Sequence, residues 1–147
     1  MTVEIRSLGL GDEDILHNIA PGVFDNQVDE SLSAEFLADP RHHLAIAIES
    51  DLVVGFASAL HYVHPDKPSE LWINEVGVAP THQRQGIGKK LLQKLLKIAH
   101  SLGCHEAWVL TERSNPVAMR LYESVGGTEA PDDVVMFNFQ LKEESTS

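Results

Sequence analysis

The sequence predicts one α/β domain: a mixed, mostly antiparallel twisted sheet containing a single parallel pair, with helices on both faces. Three observations predict it. Apolar periodicity alternates between two and about 3.6 residues, in the order strand, helix, helix, three strands, helix, strand, helix, strand. Two long strand-like runs flank Ser50-Asp51 and read as a hairpin. A strand–helix–strand unit between positions 70 and 110 requires a parallel pair with a right-handed crossover. The 147 residues suffice for one hydrophobic core, so residues 1–147 are taken as a single domain, with about 142–147 as a short disordered tail.

Each element has a local reason. Val3 to Leu8 alternates with period two and reads as a strand. Gly11-Asp12-Glu13-Asp14 opens a short helix, with acids where the dipole favours them, and Pro21-Gly22 breaks it. Asp29 to Leu37 reads as a second short helix, stopped at Asp39-Pro40. His43–Glu49 and Leu52–Tyr62 form the hairpin, and Glu70–Val78 is a third long strand ended by Pro80. Ile87, Leu91, Leu95, Ile98 and Leu102 make the apolar stripe of the clearest helix, which Gly103 ends. Ala107-Trp108-Val109-Leu110 is a short buried strand. Asn115 caps the next helix, with Pro116 at its first position and Gly126 past its end. Val134–Leu141 alternates again and reads as the last strand.

Composition excludes several classes. No apolar run approaches a membrane span, and the N-terminus lacks the basic and apolar regions of a signal peptide. A lone cysteine, Cys104, excludes an internal disulfide, reads as a buried thiol and fits a reducing, cytoplasmic setting. The net charge is −11, yet from Val76 to His105 there is no acidic residue and five basic ones, Arg84, Lys89, Lys90, Lys94 and Lys97. One basic window in an acidic chain points to an anionic ligand there and a cationic partner elsewhere. It argues against nucleic acid, which selects a broad basic face. The eight histidines include His42-His43 and His61-x-x-His64, but neither has a carboxylate or thiolate at ligand spacing, so no metal is expected.

The basic window opens with Gln83-Arg84-Gln85-Gly86-Ile87-Gly88-Lys89-Lys90, between a strand and an amphipathic helix. The first turn of a helix presents unpaired N–H groups and a positive dipole end. Glycines there let a pyrophosphate approach the backbone. Lys90 follows Lys89 where a Walker loop needs Ser or Thr, and Leu91 stands where the dinucleotide fingerprint needs its third glycine. Neither mononucleotide motif is therefore present.

Val78 to Leu92, containing Gln83-Arg84-Gln85-Gly86-Ile87-Gly88, resembles the acetyl-CoA motif of the GNAT N-acetyltransferases. Asn115-Pro116-Val117-Ala118-Met119-Arg120-Leu121-Tyr122, with Gly126, resembles that superfamily's second block; Gly127 departs from it, where an aromatic is common. The resemblance covers nearly the whole chain and implies a GNAT-type fold, splayed around the cofactor. It implies that amides from Gln83 to Gly88 hold the CoA pyrophosphate with help from Arg84, Lys89 and Lys90. It also implies that the backbone of Val76, Gly77 and Val78 runs beside the pantetheine, and that Asn115 and Tyr122 approach the thioester. Homodimers are common in the superfamily, with the last strand or the Val53–Tyr62 strand available as an edge.

Acetyl transfer needs a neutral amine and a proton for the leaving thiolate. Tyr122 is the candidate acid, a phenol with pKa near ~10. Glu75 is the candidate base. It interrupts an apolar strand, and strict alternation places it on one face with Ile73 and Gly77. Val53 to Ala57, Tyr62 to Pro65, Pro68 to Glu75 and Asp132 to Phe137 resemble the small aminoglycoside 3-N-acetyltransferases. That likeness implies a cationic acceptor held by Glu75, Asp132 and Asp133, with Asp25, Asp29 and Glu30 available from the segment over the cleft. The other acceptors in view are a polyamine, a peptide amine or a metabolite amine. A non-catalytic acetyl-CoA-binding regulatory module is the reading from another class; the presence of both Glu75 and Tyr122 favours turnover.

Overall fold

The computed structural model describes residues 2–141. Five strands form one sheet in the order β1-β2-β3-β4-β5. They are β1 (Glu4–Leu8), β2 (His42–Glu49), β3 (Leu52–Tyr62), β4 (Glu70–Val78) and β5 (Glu106–Val109). The first four run antiparallel to their neighbours, and β5 runs parallel to β4. The expected mixed sheet with one parallel pair is thus present. Ser50 and Asp51 turn the β2–β3 hairpin with positive φ of 49° and 66°, the two left-handed residues that a tight hairpin turn demands.

The helices are α1 (Glu30–Ala38), α2 (Ile87–Ser101) and α3 (Pro116–Ser124). The acidic stretch after Gly11 forms only a 3₁₀ turn over Glu13–His17, because Pro21-Gly22 leaves too little chain for a stable α-helix. Asp29 caps α1, its carboxylate accepting the Leu32 N–H at 2.8 Å. Of the expected α2 stripe, Ile87, Leu91 and Leu95 are buried, with Leu92 and Ala99 beside them, whereas Ile98 is half-buried and Leu102, past the helix end, is exposed. The stripe packs on β2, β3 and β4, so closely that a Cβ on Gly55 of β3 would lie 3.2 Å from Ile87 and 3.3 Å from Leu91. α1 covers the other face of the sheet at β2.

Three expectations need correction. Val134–Leu141 forms no strand: it has no ladder partner among the described residues, and alternation alone cannot satisfy a strand's backbone. β5 is half-buried rather than buried, since it is the sheet's outer strand. The tail at 142–147 lies outside the described residues.

The third correction concerns Glu75. Ser58 pairs with Glu75 but the next residue, Ala59, pairs with Ile73, so Asn74 is the extra residue of a β-bulge. The bulge breaks the alternation. Ile73 turns to the α2 side and is buried, whereas Glu75 shares a face with Gly77 and Trp72, the face that α1 covers.

Candidate active site

The parallel pairing of β4 with β5 covers only Glu70–Ile73. Beyond Ile73 the pairing with β5 ends, and among the described residues no strand pairs with the β4 edge from Asn74 to Val78 on that side. This fork leaves backbone N–H and C=O groups of β4 open to a ligand. Val76, Gly77 and Val78, singled out in the sequence, are that open edge.

The edge leads to the start of α2. Gly86 is the N-cap, with a left-handed φ of 77°, and no side chain caps the helix or places an acid in its first turn. A Cβ built on Gly86 would meet nothing within 4 Å, so the space beside it is open. Arg84 is also left-handed, at φ 64°, and together these two residues turn the chain sharply into the helix. Arg84, Gln85 and Lys89 are exposed there. Gln83 bonds back to the strand, its side-chain amide donating to the Val78 carbonyl at 3.2 Å. Ile87 is buried and anchors the turn. Gly88 has a different task from Gly86: a Cβ there would lie 3.3 Å from Leu121, so it lets α3 close on α2. Lys90 lines a groove with Lys94 and Lys97 on the far side of α2.

Glu75 stands between two spaces. One is a groove along the open edge, bordered by Gly22, Asn74, Glu75, Val76, Gly77 and Gln83. The other is a cavity of about 420 Å³ beneath α1, lined by Phe24, Asp25, Asp29, Phe56, Ser58 and Glu75 among others. Asp25 borders both as well. Phe24 stacks on Phe56 with ring centroids 4.0 Å apart, which fixes the loop that carries Asp25. Phe24, Phe56, Ser58 and Asn74 had no signal in the sequence; the bulge and the stack that bring them to Glu75 are tertiary.

The other expected residues divide. Asp29 reaches the cavity but spends one oxygen on the α1 cap. Glu30 sits 3.0 Å from His17 and borders a neighbouring hollow, not this cavity. Asp132 and Asp133 are exposed and line neither space. Asn115 caps α3, accepting the Ala118 N–H at 3.1 Å. Tyr122 is half-buried on α3 against the core, and burial raises its pKa above the ordinary phenol value, so its hydroxyl keeps its proton at neutral pH. It does not border the groove that holds Glu75.

A forked sheet whose open edge runs to an uncapped, acid-free helix start is the architecture of proteins that hold an extended ligand ending in phosphates. The sequence profile of the Acetyltransferase (GNAT) family matches residues 14–127, and the chain belongs to this family. It is similar to N-alpha-acetyltransferase RimI of Mycobacterium tuberculosis, with 32% identity over 90 residues, 61% of this chain and 54% of that protein. It is also similar to the ribosomal protein bS18 alanine N-acetyltransferase of Escherichia coli, with 38% identity over 61 residues, 42% of this chain and 41% of that one. The chain thus spans about half the length, or less, of these relatives. Among solved structures, an aminoglycoside acetyltransferase from an uncultured soil metagenomic sample, meta-AAC0020, aligns with a TM-score of 0.79. Its identity is 23%, over 95% of this chain and 97% of that one, a likeness of fold. Among the described residues, no helix is long and apolar enough to cross a membrane.

Proposed function

We propose that this chain moves the acetyl group of acetyl-CoA directly to a primary amine on a small polycation, with an aminoglycoside as the substrate class. The likeness to the 3-N enzymes implies the 3-N amine. The observation that carries this reading is the position of Glu75, on the border between the open β4 edge and the acid-lined cavity. A carboxylate there faces both spaces that the two substrates would fill.

Acetyl-CoA, when bound, supplies an activated acetyl thioester. The residues present fit it: the open edge of Val76–Val78, the free amides at the start of α2, and the space beside Gly86 would hold its extended and phosphate parts. Glu75 takes the proton that an acceptor ammonium must lose before its nitrogen can attack. Asp25 and Asp29 hold the remaining cationic groups of the acceptor. Tyr122, kept protonated by burial, is the proton source for the departing sulfur. Asp132 and Asp133 have no part in this cavity within a single chain.

A second acceptor, the α-amine of a protein N-terminus, is favoured by the two curated relatives, whose names state N-alpha- and alanine N-acetylation. Free-thiol release from acetyl-CoA across an amine panel separates the readings. Turnover with gentamicin-type aminoglycosides well above short peptides and spermidine supports the proposal. Turnover with peptides alone replaces it by the second reading. Tight acetyl-CoA binding without thiol release from any amine would make the chain a binding module.

A further inference from the structure

The start of α2 accounts for only part of the basic window. Further along the helix, Lys90, Lys94 and Lys97, with His100, line one groove of about 730 Å³, to which Ile5 of β1 and Leu96 add apolar surface. Among the described residues none of these three lysines pairs with a carboxylate, whereas Arg6, Arg41, Lys67 and Arg113 each do. The helix offers them none, because no acidic residue lies between Val76 and His105. Lysines three and four residues apart on one helix face repel each other, and a carboxylate at the same spacing would relieve that. In a chain with 22 acidic and 11 basic residues, a lysine row without one is a charge pattern that the fold leaves uncompensated.

The groove adjoins β1, at the opposite edge of the sheet from the fork. β1 is the terminal strand there. It pairs with β2 over Glu4–Leu8, and its outer edge is unpaired among the described residues. Ile5 stands on the α2 side, so alternation puts the Glu4–Arg6 ion pair on the other face, away from the lysines. An open strand edge beside a row of unpaired ammonium groups suits an extended anionic peptide. Its backbone joins the edge, and every second side chain faces the lysines. Lys90 to Lys97 rise about 10 Å along the helix axis. Alternate residues of a strand recur about every 6.6 Å, so two or three alternating carboxylates match the row.

We propose that the β1 edge and the basic face of α2 together bind an extended, acidic segment of a partner protein, with carboxylates at alternate positions and apolar residues between them. Charge selects this occupant over larger polyanions. An RNA or an anionic membrane extends past the groove and meets the strongly acidic remainder of the chain, which repels it. A short acidic segment stays within the groove. The site is separate from the open β4 edge, so a bound partner leaves acetyl transfer free to proceed.

The test uses the full chain and two fluorescent peptides of equal composition. One alternates Glu with Val and Thr; the other has its glutamates in a single block. The alternating peptide is expected to bind at least ~10-fold more tightly, to slow amide exchange over residues 4–8, and to weaken as salt rises. Lys94→Gln with Lys97→Gln is expected to weaken it at least ~10-fold, with melting temperature and acetyl-CoA affinity unchanged. If the pair lowers the melting temperature, Lys97→Gln alone is expected to weaken binding about threefold. Absence of binding overturns the proposal, as does equal binding of both peptides without slower exchange over 4–8, which is undirected charge attraction. Displacement of the peptide by CoA overturns it too, by placing the peptide at the start of α2. Tighter capture of RNA or of anionic vesicles through the same lysines replaces the partner class. A species of twice the 16.2 kDa chain mass that these substitutions dissociate puts a second copy in the groove and overturns the proposal.

Discussion

The carbonyl oxygen of Val23 lies only 2.3 Å from where a side chain on Gly77 would begin. The loop that carries Asp25 therefore rests directly on the open edge of β4, and only glycine permits it. Gly77→Ala must displace a backbone atom rather than a flexible side chain. It is expected to cost about 1–3 kcal/mol of stability, the range for overpacking. It should also lower activity by moving Asp25 away from Glu75. Thermal unfolding and steady-state kinetics check it; an unchanged melting point would mean that the loop yields freely.

Gly86 and Gly103 form a matched pair at the two ends of α2. Both have left-handed φ, 77° and 76°, and a Cβ on either meets nothing within 4 Å. Alanine at either site costs about 1 kcal/mol in backbone strain. Only Gly86 lies at the proposed phosphate end. Gly86→Ala is expected to weaken acetyl-CoA tenfold or more in calorimetry, with Gly103→Ala unchanged. Equal affinity in both variants would reduce Gly86 to a turn residue.

Tyr122→Phe keeps the buried ring and removes the proton. Turnover is expected to fall on the order of 10²-fold, the usual scale for a general acid, with little change in melting point or acetyl-CoA affinity. Activity within about twofold of the parent would assign Tyr122 to packing beside Leu121.

The carboxylates separate by kinetic parameter. Glu75→Gln is expected to lower turnover and move the onset of activity to higher pH, because a proton acceptor is lost. Asp25→Asn is expected to raise the Michaelis constant with turnover nearly kept, and the effect should shrink as salt rises. Asp133→Asn, outside both spaces, serves as the control and is expected to be silent. An effect of Asp133 equal to that of Asp25 would place the acceptor elsewhere.

His43 and His61 share a hydrogen bond of 2.7 Å between Nε2 and Nδ1. Burial, then the neighbouring His61 and His42, hold the pKa of His43 below its ordinary value. The folded state thus favours the neutral ring. Its contribution to stability is present above the ordinary value, about 6.5, and is lost as pH falls below it. Melting temperature is expected to decline from neutral toward mildly acidic pH, as the unfolding free energy falls by at most about 1.4 kcal/mol per pH unit for this one proton. His43→Gln should flatten that window while leaving intact the separate loss at lower pH, where Asp39, stabilised in its charged form by Arg41, protonates. An unchanged slope in the variant would show that the pair does not set it.

The sequence by itself determined the five strands of the sheet, helices α1 to α3 and what the α2 junction offers. Helical spacing from Ile87, strand periodicity around Ser50-Asp51 and the absence of acids from Val76 to His105 are local properties of the chain, and the structure keeps all three. It also located Glu75 as the carboxylate in an otherwise apolar strand. What only the tertiary structure decided is where that carboxylate points and what meets it. The bulge at Asn74 depends on pairing with β3, so alternation within β4 could not reveal that Glu75 and Ile73 face opposite ways. The fork beyond Ile73 depends on β5 being only four residues long in its pairing with β4. Asp25 comes to the spaces that Glu75 borders through the Phe24–Phe56 stack, a contact between residues 32 positions apart. The fate of Val134–Leu141 was undecidable locally for the same reason. A strand is a relation between two segments, and periodicity describes only one of them.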